Sequence, residues 1–260
     1  MLSPSMRLAV GVLQLPGLRR ATRSGFFGAL ASRIHFFDRA ARTAMDDGID
    51  QVVIVGAGYD SRAWRLARPG MRFFELDHPA TQADKRRRAP AGGPTYVAVD
   101  LGEHTVSEAL AGCPAFDPGR RALHVVEGVT MYLTREQNVA LLRDLASVAA
   151  PGSRLAVNFA APPGTGGPVE RQRQRLLRLA GRSGGEAHRF FLTAPEAAPL
   201  IDECGWAQPE VRTLRELAAE LLGPTELRVD KINAVAVTVV AQTSSRGSTG
   251  QATSAVSSGK

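Results

Sequence analysis

The chain has 260 residues, 32 Lys+Arg against 25 Asp+Glu and hence a net charge of +7, with 44% hydrophobic and 22% charged residues. That composition belongs to an ordinary globular protein of one large domain or two small ones, and it excludes wholesale disorder, a collagen-like chain and a coiled coil. The two cysteines, Cys113 and Cys204, lie far apart without His or Cys at ligand spacing, so neither a disulfide framework nor a metal site is expected, and the compartment is read as reducing and cytoplasmic.

In chain order, residues 1–48 come first and are strongly basic: before Met45 there are seven arginines and one acid, Asp38. Leu8 to Leu15 after Arg7 imitates the apolar part of a signal peptide, but it is short, and Pro16, Gly17, Arg19 and Arg20 follow where small residues would mark cleavage. No apolar run approaches the roughly 20 residues that span a bilayer. Helices packing on the domain as an N-terminal lid are the expectation.

From about Gln51 to Gln242 strand-like and helix-like segments alternate, which predicts an α/β, Rossmann-like domain over residues 49–242: a seven-stranded, mostly parallel sheet with helices on both faces. The strand candidates are Gln51–Val55, Arg72–Leu76, Thr95–Val99, Ala122–Val126, Arg154–Phe159, Gln208–Thr213 and Ile232–Ala241, the last two as an antiparallel edge pair around a helix at Arg215–Leu222. The first five are rich in Val, Leu and Ala with little alternation, as parallel strands covered on both faces are. Thr134 with Gln137, and Thr193 with Glu196, have capping-box spacing at helix starts. Residues 161–190 interrupt the alternation with a Pro/Gly turn and an Arg-rich helix-like piece, read as a lid insertion. Residues 243–260 are mostly Ser, Thr, Gly and Ala and are read as a disordered tail.

Chemistry gathers at the ends of the first four strands. Gly56 and Gly58 follow the first as a glycine turn that lets a ligand approach the backbone, but the third glycine of a dinucleotide fingerprint is replaced by Ser61. Glu75 and Asp77 close the second strand on one face, about 20 residues on, where an acid accepts from ribose hydroxyls. Asp100 and Leu101 follow the third, an acceptor and an apolar neighbour suited to adenine. Glu127 follows the fourth, beside the first crossover, where a bound ammonium group is stabilised.

These segments resemble a family. Val-Gly-Ala-Gly-Tyr-Asp-Ser-Arg-Ala-Trp-Arg-Leu (55–66), Phe-Glu-Leu-Asp-His-Pro (74–79), Val-Asp-Leu (99–101) and Glu-Gly-Val-Thr-Met-Tyr-Leu (127–133) are similar to the leucine carboxyl methyltransferase family, and most to its bacterial branch with tetracenomycin-type polyketide carboxyl O-methyltransferases. The resemblance covers about Arg33 to Leu217 and implies a class I fold with S-adenosyl-L-methionine as cofactor and S-adenosyl-L-homocysteine as product. It implies that Gly56 and Gly58 line the methionine portion, Asp77 holds the ribose, Asp100 and Leu101 frame the adenine, and Glu127 receives the amino group. Arg33, in Ser-Arg-Ile-His-Phe-Phe-Asp (32–38), resembles the family's cofactor-carboxylate arginine, with His35 where a second arginine is usual.

The expected activity is O-methylation of a small acidic molecule, and most of all of a carboxylate on an aromatic or polyketide-like acid. A carboxylate is ionised at neutral pH and needs orientation rather than a base, and Arg171, Arg173, Arg175, Arg178 and Arg189 are placed to supply it. Met131, Tyr132 and Arg189 are the substrate-binding candidates, and His188 is the one candidate base should the acceptor be a hydroxyl. A binder without catalysis stays open. An NAD oxidoreductase is disfavoured by Ser61 and by the lack of a Tyr-x-x-x-Lys pair, and nucleic-acid partners by the lack of interleaved aromatics or a base-methylation motif. No membrane and no metal are expected, and the oligomeric state is left open.

Overall fold

The computed structural model describes residues 25–162, 188–226 and 236–243. The expectations for the first 24 residues, for the body of the insertion at 163–187 with Arg171, Arg173, Arg175 and Arg178, and for the tail beyond Thr243 lie outside the described residues.

The described elements alternate. Helix α1 (Gly25–Asp46) leads to β1 (Gln51–Val55), the short α2 (Arg62–Arg65), β2 (Arg72–Asp77), α3 (Pro79–Arg88), β3 (Thr95–Ala98), α4 (Val106–Ala111) and β4 (Ala122–Val126). A 3-10 turn at Thr130–Tyr132 follows, then α5 (Arg135–Ser147), β5 (Arg154–Ala160), α6 (Ala194–Glu203), β6 (Trp206–Thr213), α7 (Leu214–Glu226) and β7 (Ala236–Thr243). The sheet order is β3-β2-β1-β4-β5-β7-β6. The first five strands are parallel, and β7 runs antiparallel to both β5 and β6.

Burial explains why the parallel strands read as unbroken apolar runs. All five residues of β1 and of β4 are buried. Val53 and Val55 of β1 join the core with α4, α5 and α6, while Val52 and Ile54 join the opposite core with Phe36, Phe37, Ala41 and Ala44 of α1 and Leu217 of α7. In these two central strands both faces are covered, so apolar residues follow one another instead of alternating, with Gln51 and His124 as the buried polar exceptions, while the edge strand β3 is largely exposed. Trp206 anchors the first core at 1% exposure, its indole N–H donating to Leu142 O at 2.9 Å, and a buried aromatic of this kind is worth about 3–5 kcal/mol when cut to alanine.

Both expected capping devices form. Thr134 Oγ1 accepts from Gln137 N while Gln137 Oε1 accepts from Thr134 N at 2.8 Å, and Glu196 accepts from Thr193 N at 2.9 Å. Strand ends differ from the sequence reading for local reasons. β2 runs one residue further, to Asp77, and β3 stops at Ala98. β6 starts at Trp206, two residues before the expected Gln208, because a register shift between Ala207 and Glu210 and a positive φ at Gln208 absorb Pro209 in a bulge on the edge strand. Thr243 is the last residue of β7, its N–H donating to Ser153 O at 3.0 Å.

Candidate functional site

The strand order reverses between β1 and β4, and ligands of such sheets bind in the crevice at that point, outside the carboxyl ends of the strands. Gly56 and Gly58 turn the chain there with φ of +62 and +49, values that disfavour any other residue. Their surroundings differ. A Cβ on Gly56 would stand 2.4 Å from Val129 Cγ2, so this glycine lets the loop after β4 close onto the turn. A Cβ on Gly58 would meet nothing within 4 Å, which leaves a ledge of bare backbone.

Backbone amides hold the two acids on the β2–β3 side. Asp77 Oδ2 accepts from Gly58 N at 2.5 Å and Oδ1 from His78 N at 2.7 Å. An ionised carboxylate has about four lone-pair positions, so acceptor capacity remains on Asp77 for a diol. Asp100 Oδ1 accepts from Gly102 N at 2.9 Å, its Oδ2 lies 3.8 Å from His78 Nε2, and 44% of its side chain is exposed. Leu101 packs against the edge of the main core.

The same strand's other acid goes elsewhere. Glu75 is fully buried, and its Oε2 is hydrogen-bonded to the equally buried Lys85 Nζ of α3. Burial lifts its carboxyl to about 7, against the pull of Lys85. Of the two acids that alternation places on one face, only Asp77 reaches the turn.

Side chains organise the β4 side. Glu127 takes Arg33 Nε of α1 on Oε1 at 2.9 Å and the Arg62 guanidinium on Oε2 at 2.7 Å. Arg62 itself is 3% exposed and also reaches Asp38 Oδ1 at 2.9 Å and Asp60. Arg65 adds bonds to Asp38 at 2.5 and 3.0 Å. Burial alone would raise the Asp38 carboxyl, but the Arg65 hydrogen bond and the charges of Arg62 and Arg65 hold it below the usual range. Burial likewise works against the charge of Arg62, and Asp60 and Glu127 more than restore it.

Beyond Glu127, the loop is fixed from below by β5. Asn158 Oδ1 accepts from Gly128 N at 2.8 Å, and Asn158 O accepts from Thr130 Oγ1 at 2.6 Å. Met131 is buried, and its carbonyl accepts from Arg189 N at 2.7 Å, so the chain returning from the insertion docks on this turn. Leu192 N then donates to Ala160 O at 2.8 Å. Tyr132 and Phe191 stay exposed, with the His188 ring between them at centroid distances of 5.5 and 6.0 Å.

The model of the leucine carboxyl methyltransferase family matches residues 7–146, more than half of the chain. The chain belongs to the leucine carboxyl methyltransferase family. Among its relatives is a Mycolicibacterium paratuberculosis protein described as an S-adenosyl-L-methionine-dependent methyltransferase, 35% identical over 214 residues, covering 76% of this chain and 66% of that one. A Mycobacterium leprae protein of the same description is 34% identical, covering 70% and 62%. The chain thus spans a little under two thirds of the length of these relatives. Among solved structures, a protein from Thermobifida fusca described as a methyltransferase superposes with a TM-score of 0.61 at 16% identity, covering 83% of this chain and 82% of that one. A DUF574 family protein from Streptomyces avermitilis gives 0.59 at 18%, covering 82% and 83%. These two likenesses speak for the fold.

Within the leucine carboxyl methyltransferase frame, the structure gathers Arg33, Gly56, Gly58, Asp77, Asp100, Leu101 and Glu127 on one rim of the sheet; Met131 and Tyr132 lie on the loop that leaves Glu127, and His188 and Arg189 return against that loop at the Tyr132 ring and the Met131 carbonyl. Sequence reasoning missed Arg62, Asp38, Asp60, Asn158 and Phe191. Arg62 and Asp60 lie in the glycine-turn segment 55–66 and Asp38 at the end of the Arg33 segment 32–38, so the available signal is an arginine flanked by acids at a turn rather than on a solvated helix face. No group of three or more metal-binding side chains occurs among the described residues, and no described helix is long and apolar enough to cross a membrane.

Proposed function

We propose that this chain is an S-adenosyl-L-methionine-dependent O-methyltransferase that esterifies a carboxylate of a small aromatic or polyketide-like acid in natural-product biosynthesis. The observation that carries the cofactor reading is the pairing of Arg33 with Glu127 at one end of the crevice and of Asp77 with Gly58 at the other. A cation and an anion 2.9 Å apart match the carboxylate and ammonium of an amino acid, each opposite its complement. Asp77 with its remaining acceptor positions matches a ribose diol, Asp100 and Leu101 match adenine, and the ledge at Gly58 accommodates the chain between them.

When bound, the cofactor would supply an electrophilic methyl group carried on a sulfonium, held by Arg33, Glu127, Asp77 and the Gly58 ledge. This chain's residues align the partners and exclude water, and alignment alone contributes up to roughly 7–11 kcal/mol to such a step. With a carboxylate acceptor no proton has to leave. Arg189, exposed beside Tyr132 and His188, supplies a cation on the acceptor side.

One observation favours a second reading. The exposed His188 ring sits between Tyr132 and Phe191, where it would take the proton of a phenol. A screen of free acids against matched phenols with labelled methyl donor decides between them. The carboxylate reading expects a product that releases methanol in mild base and activity that persists in His188→Ala. A base-stable product together with a dead His188→Ala overturns it, and cofactor binding without turnover of any acceptor points to a binding module.

A further inference from the structure

Arg62 is chemically out of place for a structural residue of a four-residue helix. Its side chain is 3% exposed, and each guanidinium nitrogen serves a different carboxylate from a different element: Nε takes Asp38 of α1, NH1 takes Asp60 of the β1–α2 turn, and NH2 takes Glu127 at the end of β4. Phe37 lies under its plane at 5.5 Å. Only a planar fork of fixed donors satisfies three acids at once, and a lysine presents one point charge.

The two oxygens of Glu127 are held unequally. Oε2 faces Arg62, which two further guanidinium bonds, to Asp38 and Asp60, and the Phe37 ring face lock in place. Oε1 faces Arg33, whose side chain is 30% exposed and meets Glu127 through Nε alone. We propose that Arg62 is a positioning residue for the methyl donor: it pins Glu127 by Oε2 so that Oε1, which Arg33 occupies in this structure, is the oxygen handed to the donor's α-ammonium group while Arg33 turns to its carboxylate. The inference rests on the donor-site reading above. It adds the residue that sets the ammonium subsite and the exchange that fills it. Through Asp38 the same guanidinium ties that subsite to α1, the helix that carries Arg33, so both halves of the amino-acid clamp share one anchor.

Calorimetry at a temperature below every variant's melting transition tests this with three ligands: S-adenosylhomocysteine, its decarboxylated analogue, and 5′-methylthioadenosine, which lacks the amino-acid portion. In Arg62→Lys, S-adenosylhomocysteine is expected to weaken on the order of 10- to 100-fold, as for one charge-assisted contact, while methylthioadenosine changes little. Weakening of both in parallel, or of neither, makes Arg62 merely structural and overturns the proposal. Arg33→Gln tests the exchange without touching Arg62, and so decides even where Arg62→Lys fails to fold. It should weaken S-adenosylhomocysteine yet bind the decarboxylated analogue more tightly than the native chain does, because the competitor for Oε1 is gone. Loss of affinity for both amino-acid ligands overturns the exchange. If the native chain itself binds no S-adenosylhomocysteine, the donor-site reading falls first and this inference with it.

Discussion

On the β2–β3 side of the crevice Asp77 and Asp100 are held by backbone N–H groups, whereas on the β4 side Glu127 is held by two arginine side chains. Backbone-held acids keep their geometry when a ligand arrives and still have lone pairs to offer. The side-chain-held acid must give up a partner first. The first side is set by the turn conformation and the second by a buried ion network, so the two should respond differently to the same kind of substitution.

The largest expected effect lies at the turn between them. Gly56→Ala combines a left-handed φ, worth about 1–2 kcal/mol, with a 2.4 Å approach to Val129, and overpacking of that kind costs about 1–3 kcal/mol more. Gly58→Ala carries the backbone term alone, because its Cβ enters open space. Urea denaturation should therefore show Gly56→Ala losing clearly more stability, with Gly58→Ala folded yet impaired in S-adenosylhomocysteine binding. Equal stability losses would mean that the two glycines do not have separate jobs.

Next come the acids themselves. Glu127→Gln keeps the shape but removes the charge, and should weaken S-adenosylhomocysteine by about 1.5–3 kcal/mol while sparing methylthioadenosine. Asp77→Asn should weaken both ligands by a similar amount, since the nucleoside half is common to them. Calorimetry with the two ligands checks this, and identical profiles for the two variants would erase the distinction between the sides.

That distinction was half legible in the sequence. Gly56, Gly58, Asp77, Asp100 and Glu127 announce themselves because strand ends and glycine turns are local patterns, and a residue's place on the rim follows from the strand that delivers it. Arg62 stands in the same segment as the glycine turn, but its three carboxylates come from residues 38, 60 and 127, and only the packing of α1 against β1 and β4 brings them together. Glu75 and Asp77 share a face by alternation, yet which of them meets Lys85 depends on where α3 lies. Phe191 gave no signal, since an exposed aromatic acquires meaning only through the turn on which its segment docks.

The two sides differ below the rim as well. β4 carries His124, fully buried and pulled by burial down to about 4, and β2 carries Glu75, lifted to about 7. The unfolded chain protonates His124 near 6.5 and the folded chain does not until about 4, so acidification over that window removes stability, up to about 1.4 kcal/mol per pH unit. Glu75 acts in the opposite sense: the folded chain protonates it near 7 and the unfolded chain near 4.5, so acidification there adds stability. Denaturation from pH 7 to 5 should be shallow in the native chain, falling with pH in Glu75→Gln and rising as pH falls in His124→Leu. A His124→Leu slope like that of the native chain would show that this imidazole does not titrate across folding.

The smallest effect belongs to the opposite rim, where neither side of the crevice reaches. Thr243 closes β7 against the amino end of β5, its N–H on Ser153 O at 3.0 Å and its Oγ1 accepting from Gly152 N at 2.9 Å. The Gly152 bond is exposed and the other ends on buried Ser153, so together they contribute about 1 kcal/mol net. A chain ended after Thr243 should melt with the full-length protein. One ended after Gln242 should melt about 2–4 °C lower, the shift such a loss produces in a domain of this size. Neither cut should change affinity for S-adenosylhomocysteine or methylthioadenosine, because the strand ends that carry Asp77 and Glu127 lie at the far end of the sheet. A change in affinity without a change in melting would mean that residues beyond Thr243 reach the crevice, and the contrast between its two sides would then need a third contributor.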